Sequence, residues 1–367
     1  MADGKVLHVG RPNIGNRQRF LERVEQMLDR RWLTNDGPLV QELEQRLAAF
    51  LGVRHVVAMC NATVGMEVAL RALGATGEVI VPSFTFVATA HVPHWLGLTP
   101  VFAEVGADTH TLDPASVERA ITPRTSAIAG VHLWGRACDV DALADIARRH
   151  DLKLMFDAAH AFACTHKGAK IGGFGDVEVF SFHATKFFNT FEGGAATTND
   201  DELAKKMRLM RNFGFAGYDR VVSEGTNAKM TEVSAAMGLT NLESVDRFIG
   251  TNRRHWQHYN ARLGGMKGLR VAQYDDREAN NYQYVVVEVG ADVDRDRLVE
   301  KLWSEGVLAR RYFTPGAHRA EPYRSQVSVS LPVTERLCER VLVLPNGTDL
   351  DEDDVERVCA LIEAELR

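Results

Sequence analysis

The sequence predicts an α/β protein in two parts, a large domain with a mostly parallel β-sheet between helices and a smaller C-terminal α+β domain. Three observations predict this class. Short apolar runs alternate with helical patterns between about residues 54 and 198, a long helical stretch follows from about residue 227, and further strand and helix patterns close the chain. The 367 residues, 45% of them hydrophobic, can bury the cores of one large and one smaller domain.

The first part contains five predicted strands that are apolar on both faces. Strands of that kind, separated by helices, are typical of parallel sheets that helices cover on each side. The predicted strands are, in order, HVVAMC, EVIVPS, TSAIAGVHLWG, LKLMFD and VEVFSF. The helical patterns between them are NATVGMEVALRALG, TFVATAHVPHWLG and DVDALADIARRHD. Ligands of such sheets bind at the carboxyl ends of the strands, so the functional residues are expected there.

The second part begins with a helical stretch that is expected to link the two domains. It reads AKMTEVSAAMGLTNLESVDRFIGTNRRHWQHYNARL and ends at Gly264 and Gly265. The runs NYQYVVVEV, RDRLVEKLWSEG and DEDDVERVCALIEAEL then predict a few strands with packed helices. We place the large domain at residues 1–240 and the small domain at residues 241–367. The large domain includes an N-terminal arm, whose amphipathic helix NRQRFLERVEQMLDRRW can pack on either domain.

Charge and composition exclude several classes of protein. The net charge is −6 with acidic and basic residues mixed along the chain, so no basic footprint for nucleic acid is present. No run approaches the roughly 18 apolar residues that span a bilayer. The N-terminus also lacks the apolar core of a signal peptide, so we expect a cytoplasmic protein with no membrane partner. The five cysteines are widely spaced without a Cys-x-x-Cys pair, which indicates free thiols.

A lysine in an apolar, glycine-backed segment gives the first indication of function. Lys186 lies among phenylalanines in VFSFHATKFFNTFEGGAATTND, where a lysine needs a partner or loses its proton. Asp157 ends the strand LKLMFD, and both groups are expected at the same edge of the sheet. A neutral lysine condenses with aldehydes, and a strand-end carboxylate suits a protonated pyridine nitrogen. The pair indicates a pyridoxal phosphate site, while Asp157 alone is equally consistent with a helix N-cap.

The same cofactor needs a cradle for its phosphate and a surface for its ring. Asn61 and Thr63 follow the strand HVVAMC at the start of a helix, where backbone N–H groups and the helix dipole favour an anion. Ser181 could add a hydroxyl, and Phe84 or Phe86 could stack on the ring. Each of these residues also has an ordinary structural explanation, as a helix cap, a strand-end serine or a core phenylalanine.

Taken together, these segments resemble those of the DegT/DnrJ/EryC1/StrS aminotransferases, which are pyridoxal phosphate enzymes acting on nucleotide-linked keto sugars. The resemblance runs from about residue 32 to residue 239 and is carried by WLTNDGP, VIVPSFTFVATA, FDAAHAF, GGFGDVEVFSFHATK, EGGAATT and GTNAKMTEVSAAMGL. A weaker likeness follows in ARRYFTPGAH. It implies the aspartate-aminotransferase-like fold, fold type I, for the large domain. It also implies an obligate homodimer with shared active sites.

Carried over residue by residue, the resemblance implies a role for each matching position. Lys186 would bond covalently to the cofactor, and Asp157 would face its pyridine nitrogen. The other implied cofactor contacts are Phe86 at the ring, His160 at the phenolic oxygen, and Thr63, the Val64 backbone, Ser181 and the neighbouring subunit's Asn227 at the phosphate. Two positions depart from the family pattern. His160 stands where many members have glutamine, and Lys229 replaces the arginine of the segment that contains Asn227.

The implied reaction is a transamination in two halves. L-glutamate gives its amine to the cofactor, which then aminates a sugar ketone. DAAHAF followed by SFHATK resembles the branches that aminate C4 of a dTDP-4-keto-6-deoxyhexose, such as dTDP-4-keto-6-deoxy-D-glucose, for deoxyaminosugar biosynthesis. Six further side chains are expected to line the mouth of the site and contact the sugar nucleotide: Trp32, Thr34, Asn35, His183, Tyr312 and His318.

Three other interpretations fit parts of the sequence. The same scaffold could run amination at C3, amination of a non-sugar substrate or a dehydration, although the dehydratase variant has histidine where this chain keeps Lys186. A regulator that binds the cofactor without turnover would share the same motifs. His160, Cys164 and His166 fall within seven residues, but no fourth metal ligand has suitable spacing nearby, so no metal is expected.

Overall fold

Strands and helices alternate through most of the chain in the computed structural model, which describes residues 5–366. The strands are β1 (Leu7–His8), β2 (His55–Met59), β3 (Glu78–Pro82), β4 (Thr99–Ala103), β5 (Thr125–Val131), β6 (Lys153–Asp157), β7 (Thr165–His166), β8 (Ala169–Lys170), β9 (Val177–Ser181), β10 (Gly194–Thr198), β11 (Leu269–Val271), β12 (Val285–Val289), β13 (Val307–Leu308) and β14 (Val341–Leu344). The helices are α1 (Arg17–Arg30), α2 (Pro38–Leu51), α3 (Ala62–Leu73), α4 (Ala88–Trp95), α5 (Pro114–Ala120), α6 (Val140–Arg149), α7 (Asp201–Arg211), α8 (Glu232–Leu242), α9 (Val245–Leu263), α10 (Arg295–Ser304), α11 (Glu321–Arg324), α12 (Pro332–Arg340) and α13 (Glu352–Leu366).

The large sheet has seven strands in the order β2-β10-β9-β6-β5-β3-β4. All neighbouring pairs are parallel except those of β10, which is antiparallel to β2 and to β9. Val79 and Ile80, adjacent in β3, point to opposite faces and are both fully buried, in two different apolar clusters. Helices therefore cover both faces, and the predicted α/β class with a mostly parallel sheet is confirmed.

Helix starts follow the capping residues in the sequence. Asn61 accepts a hydrogen bond from Val64 N–H at 2.9 Å and so caps α3. Asp139 accepts from Ala142 N–H at 3.1 Å and caps α6. These side chains satisfy first-turn N–H groups that have no acceptor within the helix, which fixes where each chain segment turns from strand into helix.

Strands β4 and β10 of the large sheet have no counterpart among the predicted strands. The sequence of β10, GAATT, lacks both the apolar run and the alternation that predict a strand. The small residues are required by a close approach, since a Cβ on Gly194 would lie 2.6 Å from the backbone nitrogen of Ala62. β10 thereby brings the chain back beside β9 immediately after the segment that contains Lys186.

The stretch predicted as one linking helix is two helices, so that prediction is wrong. α8 ends at Leu242 and α9 begins at Val245. Ala236 and Leu239 of α8 pack in a cluster of the large domain, whereas Tyr259 and Leu263 of α9 pack against β12 and β14. Val245 and Phe248 at the start of α9 still pack in the large-domain cluster, so the chain changes from one core to the other within α9. The boundary at residues 240 and 241 stays a prediction.

The small sheet consists of β11, β12 and β14 in antiparallel pairs. The N-terminal arm contacts both parts of the molecule. β1 pairs in parallel with β13 through Leu7 and Val307, and α1 lies against α8, where Arg23 donates to the Thr240 hydroxyl at 2.8 Å. Among residues 5–366, we find no helix that combines the length and the apolar character of a membrane span.

Candidate active site

A cavity of about 590 Å³ opens at the carboxyl edge of the large sheet. Its walls come from the loops that follow β2, β3, β5, β6 and β9, and from residues of the small domain. Nine of the predicted site residues line it. Eight come from the large domain: Thr63, Val64, Phe86, Asp157, His160, Ser181, His183 and Lys186. The ninth, Tyr312, comes from the C-terminal part. Sequence positions spread over 250 residues therefore meet at the edge where ligands of parallel sheets bind.

Lys186 is partly buried on the segment between β9 and β10. Its Nζ donates to the Tyr284 hydroxyl at 3.2 Å. Removal from water lowers the pKa of Lys186, and the nearby Tyr312 and Asp157 oppose that shift. The lowered pKa increases the fraction of neutral amine, which is the form that attacks an aldehyde.

Asp157 is the last residue of β6 and is 5% exposed. Its Oδ2 accepts from the Thr89 hydroxyl at 2.9 Å, and its Oδ1 accepts from Ala159 N–H at 3.0 Å. Burial raises the pKa of Asp157, while these two donors and Lys186 hold it down. A cationic group bound in the cavity would stabilise the carboxylate further.

The expected phosphate cradle lies at the start of α3. Thr63 is exposed and Val64 is partly buried, and both line the cavity together with Ser181 at the end of β9. Val64 N–H already donates to the Asn61 cap. The ordinary explanation of Asn61 as a helix cap is therefore correct. Its neighbours Thr63 and Val64 still line the cavity.

The two phenylalanines of the loop after β3 have different environments. Phe84 is fully buried, with its ring edge-on to His110 and Phe313 at 5.5 and 5.4 Å. Phe86 is 59% exposed and lines the cavity. Phe84 is thus a core residue, whereas the ring of Phe86 is accessible from the cavity.

His160 is buried, and its Nε2 is 3.3 Å from the Tyr284 hydroxyl. Burial and the charge of Lys186 lower the pKa of His160 well below its ordinary value, so the ring is neutral. Its Nδ1 is buried without a hydrogen-bond partner in residues 5–366. Tyr284 itself was not predicted from the sequence, because it reads as an ordinary aromatic residue at the start of a buried strand, NYQYVVVEV.

Arg310 is a second lining residue that sequence reasoning missed. It is exposed, and its guanidinium lies over the Tyr312 ring, 5.3 Å from the ring centroid, rather than against a carboxylate of the described chain. A guanidinium over an aromatic ring keeps N–H donors free for a carboxylate or phosphate. Arginine is frequent on protein surfaces, so no sequence signal singled it out.

Two of the six expected substrate contacts, His183 and Tyr312, line the cavity. His183 is partly exposed and lies 3.2 Å from a Glu192 carboxylate oxygen. The expectation for His318 is wrong. It is 4% exposed, and its Nδ1 is 2.6 Å from the Ser83 hydroxyl, so it packs inside the protein rather than at the mouth.

The remaining expected contacts do not line the cavity of their own chain, as far as residues 5–366 show. Trp32, Thr34 and Asn35 lie in the connection between α1 and α2, where Trp32 is 47% exposed. Asn35 lines a separate cavity of about 370 Å³ together with Lys229. Asn227 lies two residues from Lys229 and is exposed. Their predicted roles therefore require a second subunit.

The cluster considered for a metal has other contacts. His160 Nε2 faces the Tyr284 hydroxyl, the Cys164 thiol lies 3.8 Å from the Phe162 carbonyl oxygen, and the His166 ring packs edge-on to Phe174. Within the described residues, no three His, Cys, Asp or Glu side chains are grouped to hold a metal ion.

A larger cavity of about 910 Å³ contains none of the predicted cofactor residues. Its charged side chains include two ion pairs, Lys167 with Asp141 and Arg277 with Asp275. These charges neutralise each other, whereas the smaller cavity groups Lys186, Asp157 and Arg310 around one space. We therefore take the smaller cavity as the active site.

Comparisons with known proteins show the family of the chain. A sequence model of the DegT/DnrJ/EryC1/StrS aminotransferase family matches residues 15–363. A dTDP-4-amino-4,6-dideoxy-D-glucose transaminase from Shigella dysenteriae is 36% identical over 361 residues, 98% of each chain. A GDP-perosamine synthase from Caulobacter vibrioides is 36% identical and covers 100% of both chains. The crystal structure of DesI in the presence of its TDP-sugar product is 51% identical, with a TM-score of 0.95 over 99% of this chain and 93% of that one. The chain belongs to the DegT/DnrJ/EryC1/StrS aminotransferase family.

Proposed function

We propose that the protein is a pyridoxal phosphate-dependent aminotransferase. In this proposal it moves the amino group of L-glutamate to C4 of a dTDP-4-keto-6-deoxyhexose such as dTDP-4-keto-6-deoxy-D-glucose. The observation that carries the proposal is that Lys186 and Asp157 line one cavity at the carboxyl edge of the sheet. Support for the dTDP sugar and for C4 comes from the Shigella transaminase and from DesI with its TDP-sugar product.

The residues of the cavity fit pyridoxal phosphate. The buried Nδ1 of His160 has no partner in the described chain and has capacity for one more hydrogen bond. Phe86 offers an exposed aromatic face, and the Thr63 and Ser181 hydroxyls lie near the start of α3, where a helix favours a phosphate. We infer that Phe86 and His160 contact the ring and that Thr63, Val64 and Ser181 hold the phosphate.

The chain's own groups then perform the proton transfers. Bound pyridoxal phosphate supplies the electron sink. The Asp157 carboxylate keeps a proton on the pyridine nitrogen, since a buried anion is stabilised by a cation beside it. Lys186 Nζ, with its lowered pKa, would move the proton from the carbon of glutamate to the cofactor in the first half and from the cofactor to the sugar carbon in the second. Positioned proton transfer of this kind typically contributes about 10²–10⁴-fold to the rate.

Both substrates are anions, and Arg310 is placed to bind them. L-glutamate has two carboxylates and a sugar nucleotide has a diphosphate, and the two substrates occupy the site in turn. Arg310 lines the cavity with its guanidinium on the Tyr312 ring. We infer that Arg310 contacts the anionic part of each substrate and that His183 and Tyr312 contact the sugar.

The active sites are proposed to be shared in a homodimer. Asn227 would reach the partner's phosphate, and the loop with Trp32, Thr34 and Asn35 would reach the partner's substrate. Exposed apolar side chains near Asn227 support a contact surface there: Phe213, Phe215, Tyr218, Val221 and Val222. The five free cysteines are consistent with action in the cytoplasm, a reducing compartment.

Purified protein incubated with L-glutamate and dTDP-4-keto-6-deoxy-D-glucose tests the reaction. We expect 2-oxoglutarate in equal amount to a new amino sugar, with the amine on C4 in the NMR spectrum. An amine on C3, or loss of water without 2-oxoglutarate, would support the other reactions instead.

A labelling experiment tests the lysine independently of the sugar. Borohydride reduction of the native protein should fix the cofactor to the peptide that contains Lys186, and Lys186→Ala should lose both the label and turnover while remaining folded. A label on another peptide would refute the assignment. A bound chromophore without turnover on any keto sugar would favour the non-catalytic regulator.

A further inference from the structure

One tyrosine joins the two nitrogen-bearing side chains of the cavity. Tyr284 lies immediately before β12 of the small sheet and is 4% exposed. Its hydroxyl oxygen is 3.2 Å from Lys186 Nζ and 3.3 Å from His160 Nε2. The three side chains therefore form one hydrogen-bonded row that runs from the amine through the phenol to the imidazole.

Counting hydrogens gives this row a direction. A phenol has one hydrogen to donate. When Lys186 donates to the Tyr284 oxygen, the phenol hydrogen is left for His160 Nε2, which must then be bare. A neutral imidazole has a single N–H, and His160 is neutral because burial lowers its pKa. The remaining proton of the ring is therefore on Nδ1.

In either direction Nδ1 is buried without a partner in residues 5–366, so it is the proposed cofactor that separates the two. If His160 Nε2 donated to Tyr284, Nδ1 would be a bare acceptor. The phenolic oxygen of the proposed cofactor is also an acceptor, so it could not satisfy that nitrogen. Only a proton on Nδ1 makes His160 complementary to such an oxygen.

We propose that Tyr284 is a positioning residue whose hydroxyl receives the Lys186 amine and holds His160 in the tautomer with its proton on Nδ1. The use of that proton, donation to the cofactor's phenolic oxygen, rests on the proposed function. The hydrogen-bonded row itself needs only the protein, and it can be tested in the full-length chain after removal of the cofactor.

Nitrogen NMR of the histidine rings tests the tautomer directly. In ¹⁵N-histidine-labelled protein, the His160 signals are assigned by their loss in His160→Gln. We expect a protonated Nδ1 and a bare Nε2 in the unmodified protein, and both shifts should move toward the average of the two tautomers in Tyr284→Phe. A proton on Nε2, or identical spectra with and without the Tyr284 hydroxyl, would refute the proposal.

Tyr259→Phe is the matched control. Tyr259 is fully buried, and its hydroxyl donates to the main-chain oxygen of Pro345 at 3.1 Å. The Tyr259→Phe variant also loses a buried phenol hydroxyl, but this hydroxyl does not contact Lys186, Tyr284 or His160. We expect the His160 signals to stay in place in this variant. Equal changes in both variants would mean that packing, not the hydrogen bond, sets the tautomer.

The reactivity of Lys186 gives a second readout. The titratable groups that act on it are Asp157 on β6 and Tyr312 on the segment after β13; Arg310 of that segment lines the same cavity, and neutral His160 lies nearby. Tyr284→Phe removes an oxygen that accepts from the ammonium form, so the midpoint of the Lys186 acetylation rate against pH should fall. An unchanged or higher midpoint, measured by mass spectrometry of the Lys186 peptide, would contradict the row.

Kinetics separate this inference from the proposed function. We expect Tyr284→Phe to lower kcat by roughly ten- to a hundredfold with little change in the KM for the sugar, because positioning rather than substrate binding is lost. A higher KM with unchanged kcat would instead make Tyr284 a substrate contact. If the unmodified protein does not turn over, the proposed function fails, while the NMR and acetylation results still decide the role of Tyr284.

Discussion

The Thr89 hydroxyl donates to Oδ2 of Asp157 at 2.9 Å, and the two residues are 1% and 5% exposed. Thr89 belongs to α4, which follows β3, whereas Asp157 ends β6. The carboxylate is thus oriented by a helix from elsewhere in the sheet and by Ala159 N–H. Burial raises the pKa of Asp157, and these donors favour its ionised form.

Thr89→Val should weaken the site without removing any charge. Valine keeps the shape of threonine but lacks the donor, so the pKa of Asp157 should rise further and the carboxylate should bind a pyridinium less well. A hydrogen bond to a charged group contributes about 1.5–3 kcal/mol, so we expect cofactor affinity and kcat to fall roughly tenfold or more. Fluorescence titration with pyridoxal phosphate measures the affinity. Unaltered binding would show that Ala159 N–H suffices.

Asp157→Asn should make the cofactor-free protein more stable at neutral pH. Because the folded-state pKa of Asp157 lies above its ordinary value of 3.8, the stability it contributes is complete below about that pH. This stability is lost as the pH rises through the folded-state pKa. Asparagine avoids this loss, so the advantage of the variant in urea unfolding should grow as the pH rises above about 4. A constant difference above that pH would mean that ionisation is not the cause, and turnover should be absent at every pH.

The two phenylalanines of the β3 loop form a matched pair. Phe84→Ala empties a core position and should cost about 3–5 kcal/mol of unfolding free energy. Phe86→Ala changes an exposed ring and should alter stability by at most about 0.5 kcal/mol, while the dissociation constant for pyridoxal phosphate rises. Urea unfolding without the cofactor, and binding of the cofactor to each folded variant, measure both effects. A large stability loss in Phe86→Ala would place that ring in the core instead.

Arg310→Ala should raise the KM for L-glutamate and for the sugar nucleotide, with a smaller effect on kcat. Loss of one charged contact to an anion is expected to cost about 1.5–3 kcal/mol, roughly a ten- to hundredfold rise in KM. Arg336→Ala, an exposed arginine of α12 that does not line the cavity, is the control and should leave both KM values unchanged. Equal effects of the two variants would indicate a loss of general positive charge.

Mixing two inactive variants tests the shared site. A mixed dimer contains one Lys186→Ala chain and one Asn227→Ala chain. One of its two sites is complete, because the Asn227→Ala chain supplies Lys186 and the Lys186→Ala chain supplies Asn227. Random reassortment should therefore restore about one quarter of the normal activity per chain, because half of the dimers are mixed and each has one complete site. If each chain completes its own site, mixing should restore no activity. Size-exclusion chromatography confirms that the chains have exchanged.

The sequence predicted the large sheet well because its strands are buried on both faces. In runs such as EVIV and LKLMF, apolar residues occupy both faces of the strand, which indicates central parallel strands. The position of Asp157 at a strand end then located the active-site edge. β10 could not be predicted in this way, because its residues are small to allow close packing against α3. That constraint is visible only in the folded structure.

Side-chain contacts between distant segments could not be predicted in the same way. Thr89, Tyr284 and Arg310 have ordinary local sequences, and only the packing of the small domain on the sheet brings the last two beside Lys186. For His318 the sequence predicted a substrate contact that the structure does not have. Its segment resembles a family motif, but the His318 ring is buried and hydrogen-bonded to Ser83.

Lys186 stands on a short span of chain that is anchored at both ends, in β9 before it and in β10 after it, and these strands are neighbours. Asp157 ends a strand of the same sheet, whereas Tyr284 lies immediately before β12 of the small sheet. A hinge movement between the two sheets would separate Lys186 from Tyr284. Such a movement would widen the cleft without changing the distance between Lys186 and Asp157.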